Sequence, residues 1–311
     1  MPEQVESPPS TVEATYKARE VEGVLDRWFY RKIGFRLAQL FAAIRVAPTG
    51  VTLLGGICGV IAGHLYFYRD LPINVFGMGL HIFANTLDNA DGQLARLLNK
   101  KSRMGRVEDS LADHLIFLSI YVHLALRCWG NGASLAVGLL ALAAGLSHAW
   151  QGAAADYFRN AYLYFVKGRS RADWDCSRAL RQDYEQASWR AQPWTKLLLR
   201  LYLNFTRQQE MLSPALRGLR EATEREFSSG IPLALRASYG DIAGPMLRWW
   251  GLLMTNTRML FLFLFLAIDR PALYFWMELT VFNLLLVFLL IRQERMSSAF
   301  LRHSAGSLKA A

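Results

Sequence analysis

The sequence predicts an all-α fold: a polytopic membrane helical bundle of six transmembrane helices. An N-terminal interfacial helix and a helical cytoplasmic insert between helices four and five complete it. Three observations carry this expectation. The 311 residues are 53% hydrophobic and only 19% charged, with a mean hydropathy of +0.15, too apolar for an ordinary soluble domain. Apolar stretches of about 20 residues, enough to cross a bilayer, recur along the chain. Basic residues alternate between successive loops, as an even number of crossings requires.

Residues 1–23 read as a disordered polar tail. The N-terminal stretch MPEQVESPPSTVEATYK lacks the apolar core of a cleaved signal peptide. Residues 24–45 place Leu25, Trp28, Phe29 and Ile33 on one helical side and Arg27, Arg31 and Lys32 elsewhere, which suits a helix lying on the membrane surface. The spans follow at 48–68, 72–98, 109–127 and 131–158, with Pro48 suiting a first helical turn. The segment 163–240 is too basic to span and is cut by Pro193, Pro214 and Pro232 into helical pieces. Within it Trp194, Leu197, Leu198, Leu201 and Phe205 recur at helical spacing. Spans five and six lie at 242–268 and 271–292. The chain thus divides into 1–23, 24–162, 163–240 and 241–311.

Arg27, Arg31, Lys32, Arg36 and Arg45 precede the first span, Lys100, Arg103 and Arg106 separate the second and third, and Arg292, Arg295 and Arg302 follow the last. The intervening loops carry little beyond Arg69, Arg127 and Arg270. The positive-inside rule puts both termini in the cytoplasm. The formal charge of +10 is accounted for by these span-flanking residues meeting anionic headgroups. With no nucleic-acid module in the chain, no nucleic-acid partner is expected. Cys58, Cys128 and Cys176 are far apart and odd in number, so neither a disulfide framework nor a zinc site follows.

The informative stretch is LDNADGQLARLLNKKSRMGRVEDSLADHL, residues 87–115. Asp88 and Asp91 are three apart on a helix, and Gly92, Ala95 and Arg96 continue that face. Gly105, Asp109 and Asp113 are four apart and share another face. Two antiparallel spans joined by a short basic loop bring the end of one to the start of the other, so the four carboxylates converge on the cytoplasmic side. Unpaired, each costs about 2.5–3.5 kcal/mol at the centre of a bilayer. Hard oxygen ligands select Mg²⁺, Mn²⁺ or Ca²⁺. Two divalent ions would balance four carboxylates and could clamp a phosphoryl group in transfer. Gly92 and Ala95 leave the backbone open to a ligand, and the basic loop favours an anionic one. The competing explanation is a set of exposed helix-end carboxylates paired with nearby arginines.

The pattern D-x2-D-G-x2-A-R-x8-G-x3-D-x3-D is met without a gap by Asp88, Asp91, Gly92, Ala95, Arg96, Gly105, Asp109 and Asp113. This resembles the CDP-alcohol phosphotransferase (CDP-alcohol phosphatidyltransferase) family over about 24–160, and over 242–292 by layout only. The first span opens APTGVT where many relatives carry T-P-N-x-V-T, and Thr49 or Thr52 is expected to supply the helix-start bond. The resemblance implies that Asp88, Asp91, Asp109 and Asp113 bind two Mg²⁺ or Mn²⁺ ions, with Asp113 also the general base. It implies that Gly92, Ala95 and Gly105 make room for cytidine and ribose beside Asp88 and Asp109, and that Arg96 stabilises the local geometry or the phosphates. The implied reaction is attack of an alcohol on the β-phosphorus of a CDP-alcohol, releasing CMP.

The lead expectation is a CDP-diacylglycerol donor with a small polar acceptor such as inositol phosphate, glycerol phosphate or serine. A soluble donor such as CDP-choline, CDP-ethanolamine or CDP-inositol, with a lipid or polyol acceptor, is the alternative. Other candidates are an isoprenoid-type aspartate-rich transferase, whose site lacks this Gly, Ala and Arg spacing, and a cation transporter or scaffold, which would show mid-membrane acids and repeats. The resemblance also implies a homodimer in a bacterial inner membrane, with the active site facing the cytoplasm.

Arg258, within TNTRM beside Asn256, is a mid-span charge and so a candidate for an acceptor or donor phosphate; pairing with Glu278 is the competing reading. Arg159, with Asp156, lies where it could line the site. His81, His123 and His148 read as hydrogen-bonded packing residues.

Overall fold

The computed structural model describes residues 11–15, 18–100, 102–129, 135–169, 172–227 and 230–308. Among them the chain is helical, with no strand. It divides into two compact units: residues 1–146 with 259–277, and residues 147–258 with 278–311.

The first unit contains the helices that follow one another from residue 26 to residue 129. A π-helical turn, Asp26–Tyr30, runs directly into α1 (Arg31–Ala43). Val24, Leu25, Trp28, Phe29 and Ile33 face outward while Phe35 and Ala38 are buried, the two-sidedness expected of a surface helix. The tail expected at 1–23 lies largely outside the described residues. Within its described part Thr15 is buried and its hydroxyl accepts from Gln93 Nε2 at 2.9 Å. Glu22 pairs with Arg31 at 2.8 Å.

Helix α2 (Pro48–Leu65) starts at its proline. Neither threonine supplies the expected helix-start bond: Ala47 is the N-cap, with no side-chain bond. The Thr49 hydroxyl donates to Glu108 at 3.1 Å and that of Thr52 to Asp91, both on other helices. Helix α3 (Leu71–Leu97) is capped by Asp70, whose Oδ1 accepts from the Ile73 amide at 3.1 Å. It ends at Asn99, whose φ of 55° is left-handed, and the Lys100 amide closes back on the Ala95 carbonyl at 2.8 Å. Asparagine tolerates that conformation better than most residues. The reversal starts α4 (Arg103–Trp129), where the Ser102 hydroxyl accepts from the Gly105 amide at 2.9 Å.

Helix α2 packs against both α3 and α4, and its small residues let it. A Cβ on Gly55 would meet Leu87 Cβ at 3.3 Å. One on Gly59 would meet the Ile116 side chain at 2.5 Å, and one on Gly63 the backbone of Ser119 and Ile120 at 2.9–3.0 Å. Gly55, Gly59 and Gly63 recur every fourth residue, the small-residue spacing that allows close helix approach in membranes. Val51, Cys58, Ala84, Leu87, Ala90 and Leu94 fill the resulting core. At the other end of α2, Arg127 donates to the Tyr66 carbonyl at 3.0 Å, to Asn74 Oδ1 at 2.6 Å and to Asp269 at 2.7 Å.

In the second unit, α6 (Ser177–Gln186), α7 (Pro193–Met211) and α8 (Pro214–Glu226) follow one another. Pro193 and Pro214 open helices, and Pro232 stands before α9 (Leu233–Leu252), as proline's missing N–H dictates. Glu294 accepts from the Ala215 amide at 3.0 Å and from the Ser213 hydroxyl, tying the start of α8 to the last helix. Stacked Phe158 and Trp250, with centroids 4.5 Å apart, and tilted Phe165 and Tyr239, also at 4.5 Å, form the aromatic core.

Five helical stretches among the described residues are long and apolar enough to cross a membrane: Pro48–Leu65, Arg103–Trp129, Leu135–Lys167, Leu233–Ala267 and Ala272–Arg302. The expected second span, α3, is not among them, because its last third carries Asp88, Asp91, Gln93 and Arg96. The fourth span, α5 (Leu135–Lys167), extends beyond the expected 158, and residues 131–134 lie outside the described residues. The fifth breaks at Leu253 and Met254 into α9 and α10 (Thr255–Ala267). The sixth runs through α11 (Ala272–Met277), a π-helical turn at Glu278–Phe282 and α12 (Asn283–Leu308), well past 292.

Gly63→Ala is expected to destabilise the protein by about 1–3 kcal/mol, because backbone must move to admit the methyl group. Gly79, with nothing within 4 Å, is the control: Gly79→Ala should be neutral or gain up to about 1 kcal/mol of helix propensity. Thermal unfolding in detergent checks both.

Candidate active site

Asp88 and Asp91 project from the last third of α3, and Asp109 and Asp113 from the first turns of α4. The Asn99 reversal sets those two helix ends side by side. Carboxylate oxygens of Asp88, Asp91 and Asp109 all lie within 4.8 Å of one another. Asp113 lines the same cleft, which is partly open to solvent. The other lining residues are Thr52, Gly55, Gly56, Ala84, Ala112 and Ile116. The motif's aspartates are therefore brought together.

The lining supplies no positive charge. Three carboxylates this close repel strongly in a medium of low dielectric, and the donor set fits a hard cation. Oxygens on one divalent ion are separated by at most about twice the metal–oxygen distance, about 4–5 Å, so the observed span is of the order a divalent ion requires. The Thr52 hydroxyl donates to Asp91 Oδ2 and fixes that carboxylate from the α2 side, as outer partners do around metal ligands.

The small residues of the motif divide. A Cβ on Gly92 would meet only Arg96 Nη1, at 3.6 Å, so the backbone there is open. A Cβ on Gly105 would lie 3.1 Å from the Ser102 hydroxyl. That glycine therefore also serves the helix cap, a local reason the spacing did not reveal. Ala95 is half-buried.

Thr52, Gly55 and Gly56 were not picked out as lining residues by the aspartate pattern, which begins only at α3, one helix later. The available signal was a threonine three and four residues ahead of a glycine pair, one helical turn away on an apolar span. That places a hydroxyl on the same face as a small-residue stripe.

The remaining candidates, Arg258, Asn256 and Arg159, belong to the second unit. Arg258 is buried and pairs with the fully buried Glu278 at 3.0 Å. It also donates to the Leu253 carbonyl and to Gln151 Oε1, and its guanidinium lies 5.3 Å over Phe282. Gln151 in turn donates to the Glu278 carbonyl at 2.9 Å and to Asn283 at 2.8 Å. The pairing set against the phosphate role is thus the one observed. The helix break between α9 and α10 frees the Leu253 carbonyl that Arg258 takes. Asp156 accepts from Asn160 at 2.9 Å and from Gln209 at 3.4 Å. His81 is buried against the Tyr66 hydroxyl at 3.1 Å, and His123 lies 3.0 Å from His64, both packed as expected.

Residues 45–157 match the family model for CDP-alcohol phosphatidyltransferase. This segment is similar to that family. The match is narrower than the 24–160 read from the sequence and contains the whole aspartate motif. A phosphatidylinositol phosphate synthase of Streptomyces avermitilis is 35% identical over 127 residues, covering 38% of this chain and 49% of that protein. A Mycobacterium bovis protein, provisionally named cardiolipin synthase, is 33% identical over 61 residues, covering 20% of this chain and 29% of its own length. A Mycobacterium tuberculosis protein of the same provisional name matches equally. The chain spans about half or less of the length of these relatives.

Two outcomes follow. Mg²⁺ or Mn²⁺ should raise the unfolding temperature of the purified protein, because a ligand of the native state stabilises it by mass action. Asp88→Asn with Asp91→Asn should abolish that increment. For the second unit, Arg258→Met is expected to cost about 3–5 kcal/mol by leaving Glu278 buried without its cation. Arg258→Met with Glu278→Leu should recover most of it. Chemical denaturation of the single and double variants reads this directly.

Proposed function

We propose that the protein is a phospholipid-biosynthetic transferase that moves a substituted phosphate from CDP-diacylglycerol to the hydroxyl of a small polar acceptor and releases CMP. The observation that carries this reading is the convergence of Asp88, Asp91 and Asp109 within 4.8 Å, with Asp113 in the same cleft. That geometry stands inside the segment matching the transferase family. Inositol phosphate is the first acceptor to test, because the Streptomyces relative is named a phosphatidylinositol phosphate synthase. Arg258 does not contribute to that choice, since its donors are taken by Glu278, Gln151 and Leu253.

The four aspartates would hold two divalent ions, Mg²⁺ or Mn²⁺, which when bound neutralise charge developing on the transferred phosphoryl oxygens. The chain's own residues do the rest. Thr52 orients Asp91. The open backbone at Gly92, with Ala95 and Gly105 near it, admits the cytidine and ribose, and Arg96 faces the phosphates. Asp113 takes the proton of the acceptor hydroxyl as its oxygen bonds to the β-phosphorus. The bond between that phosphorus and the bridging oxygen breaks, and CMP leaves with its electron pair. Holding donor and acceptor in one cleft supplies much of the acceleration.

In this reading α3 completes a set of six crossings, both termini and the cleft face the cytoplasm of a bacterial inner membrane, and the protein works as a homodimer. The span criterion and the basic flanks support the multi-pass arrangement.

Purified protein with Mg²⁺ and CDP-diacylglycerol should release CMP only when the right acceptor is added. Asp113→Asn should lower the rate by about 10²–10⁴-fold, the usual contribution of a positioned base. Thr52→Val should weaken cation activation by about 10–100-fold. CMP formed at the wild-type rate by Asp113→Asn would remove the base assignment, and no CMP with any acceptor would remove the donor assignment.

A further inference from the structure

We propose that the corner formed by α6 and α7 is a docking surface for anionic lipid headgroups, independently of the reaction the aspartates perform. Helix α7 is apolar on two sides. Leu199 and Leu203 are buried against Leu180 of α6, and Thr206 and Gln209 continue that inner side. Trp194, Leu197 and Leu201, at i, i+3 and i+7, share a different face and are 76%, 39% and 49% exposed. Trp189, on the turn before α7, adds a second ring at 52% exposure. Four large apolar side chains grouped on a segment with its own core mark a contact surface.

Charge says what covers it. Arg190, Lys196 and Arg200 border the patch. Lys196 Nζ lies 4.7 Å over the Tyr184 ring and 5.9 Å over Trp189, and donates to the Ala187 carbonyl at 2.6 Å. The Arg200 guanidinium lies 5.7 Å from the Tyr184 ring centroid. Of the acids on α6, Glu185 is paired with Arg181 at 2.8 Å. Tryptophans with a basic rim are the composition of a membrane interface. A second copy of the same face would set these cations against their own images.

Position supports the same occupant. The segment between α5 and α9 joins two stretches long and apolar enough to cross a membrane. The segment is therefore tethered to the bilayer at both ends, and binding there is intramolecular, with a correspondingly high effective concentration.

The test uses the full chain in nanodiscs, with an environment-sensitive fluorophore on Leu197→Cys. Cys58 and Cys128 are buried, so Cys176→Ser gives a single reactive thiol, and serine suits that N-cap position. In discs containing phosphatidylglycerol the label should emit to the blue of its detergent value and be quenched by lipids brominated in the upper acyl chain. All-phosphatidylcholine discs should show a smaller effect, and high salt should reduce the response in phosphatidylglycerol. A label on Glu221→Cys, exposed on α8, should remain unquenched. Arg190→Glu with Arg200→Glu should erase the dependence on phosphatidylglycerol. An unquenched label at 197, or equal quenching in both lipids, would overturn the proposal. So would a blue shift that persists in detergent and grows with protein concentration, which would make the partner a second copy.

Discussion

Like charges do not gather in a low-dielectric cleft unless something holds them there. Asp88, Asp91 and Asp109 are within 4.8 Å of one another, beside Asp113 and a lining of threonine, glycine, alanine and isoleucine. Coulomb repulsion works against this arrangement, so the surrounding helices must be stiff enough to impose it. The Asn99 reversal fixes where α3 hands over to α4. Close contact of α2 with both, permitted by Gly55, Gly59 and Gly63, fixes their separation. The Thr52 hydroxyl then fastens Asp91 from the third helix. In the proposed reading a cation resolves the repulsion, and the scaffold's work is to hold its ligands in place.

The other charges buried within the two units are handled differently. Arg127 in the first unit spends its donors on Tyr66, Asn74 and Asp269. Arg258 in the second spends its own on Glu278, Gln151 and Leu253. Each cation meets an acid and a backbone carbonyl, the internal satisfaction that buried polar groups in a membrane require. The distinction separates scaffold from candidate site: Arg127 and Arg258 are neutralised within the fold, whereas the aspartates converge on one another.

That distinction also explains what was legible in the sequence. The aspartate constellation could be read because helical spacing and one short reversal determine where Asp88, Asp91, Asp109 and Asp113 go. The start of α7 at Pro193 and of α8 at Pro214 could be read because a missing N–H acts locally. Arg258 could not be resolved, because its role depends on Gln151 and Glu278, 107 and 20 residues away. Apolar composition does not encode which side chains will meet across helices. The break at Leu253 was hidden because TNTRM sits inside a run apolar enough to pass for one span, and the carbonyl freed there is satisfied by the side chain of Arg258, five residues on.

Helix α3 shows the compromise at its sharpest. Its first part is as apolar as its neighbours, while its last third holds Asp88, Asp91, Gln93 and Arg96 and takes it below the composition of a spanning helix. Each polar residue is nevertheless engaged or directed: Gln93 donates to Thr15 and to the Arg31 carbonyl, and Asp91 accepts from Thr52. Gln93 thereby joins the segment before α1 and α1 itself to the helix that carries two of the acids. The N-terminal surface helix is thus coupled to the geometry of the cleft through one buried amide. Under the proposed function, in which a lipid donor is taken at the membrane surface, that coupling has a physical use: the helix that would sit among the headgroups is fastened to the element that presents the carboxylates.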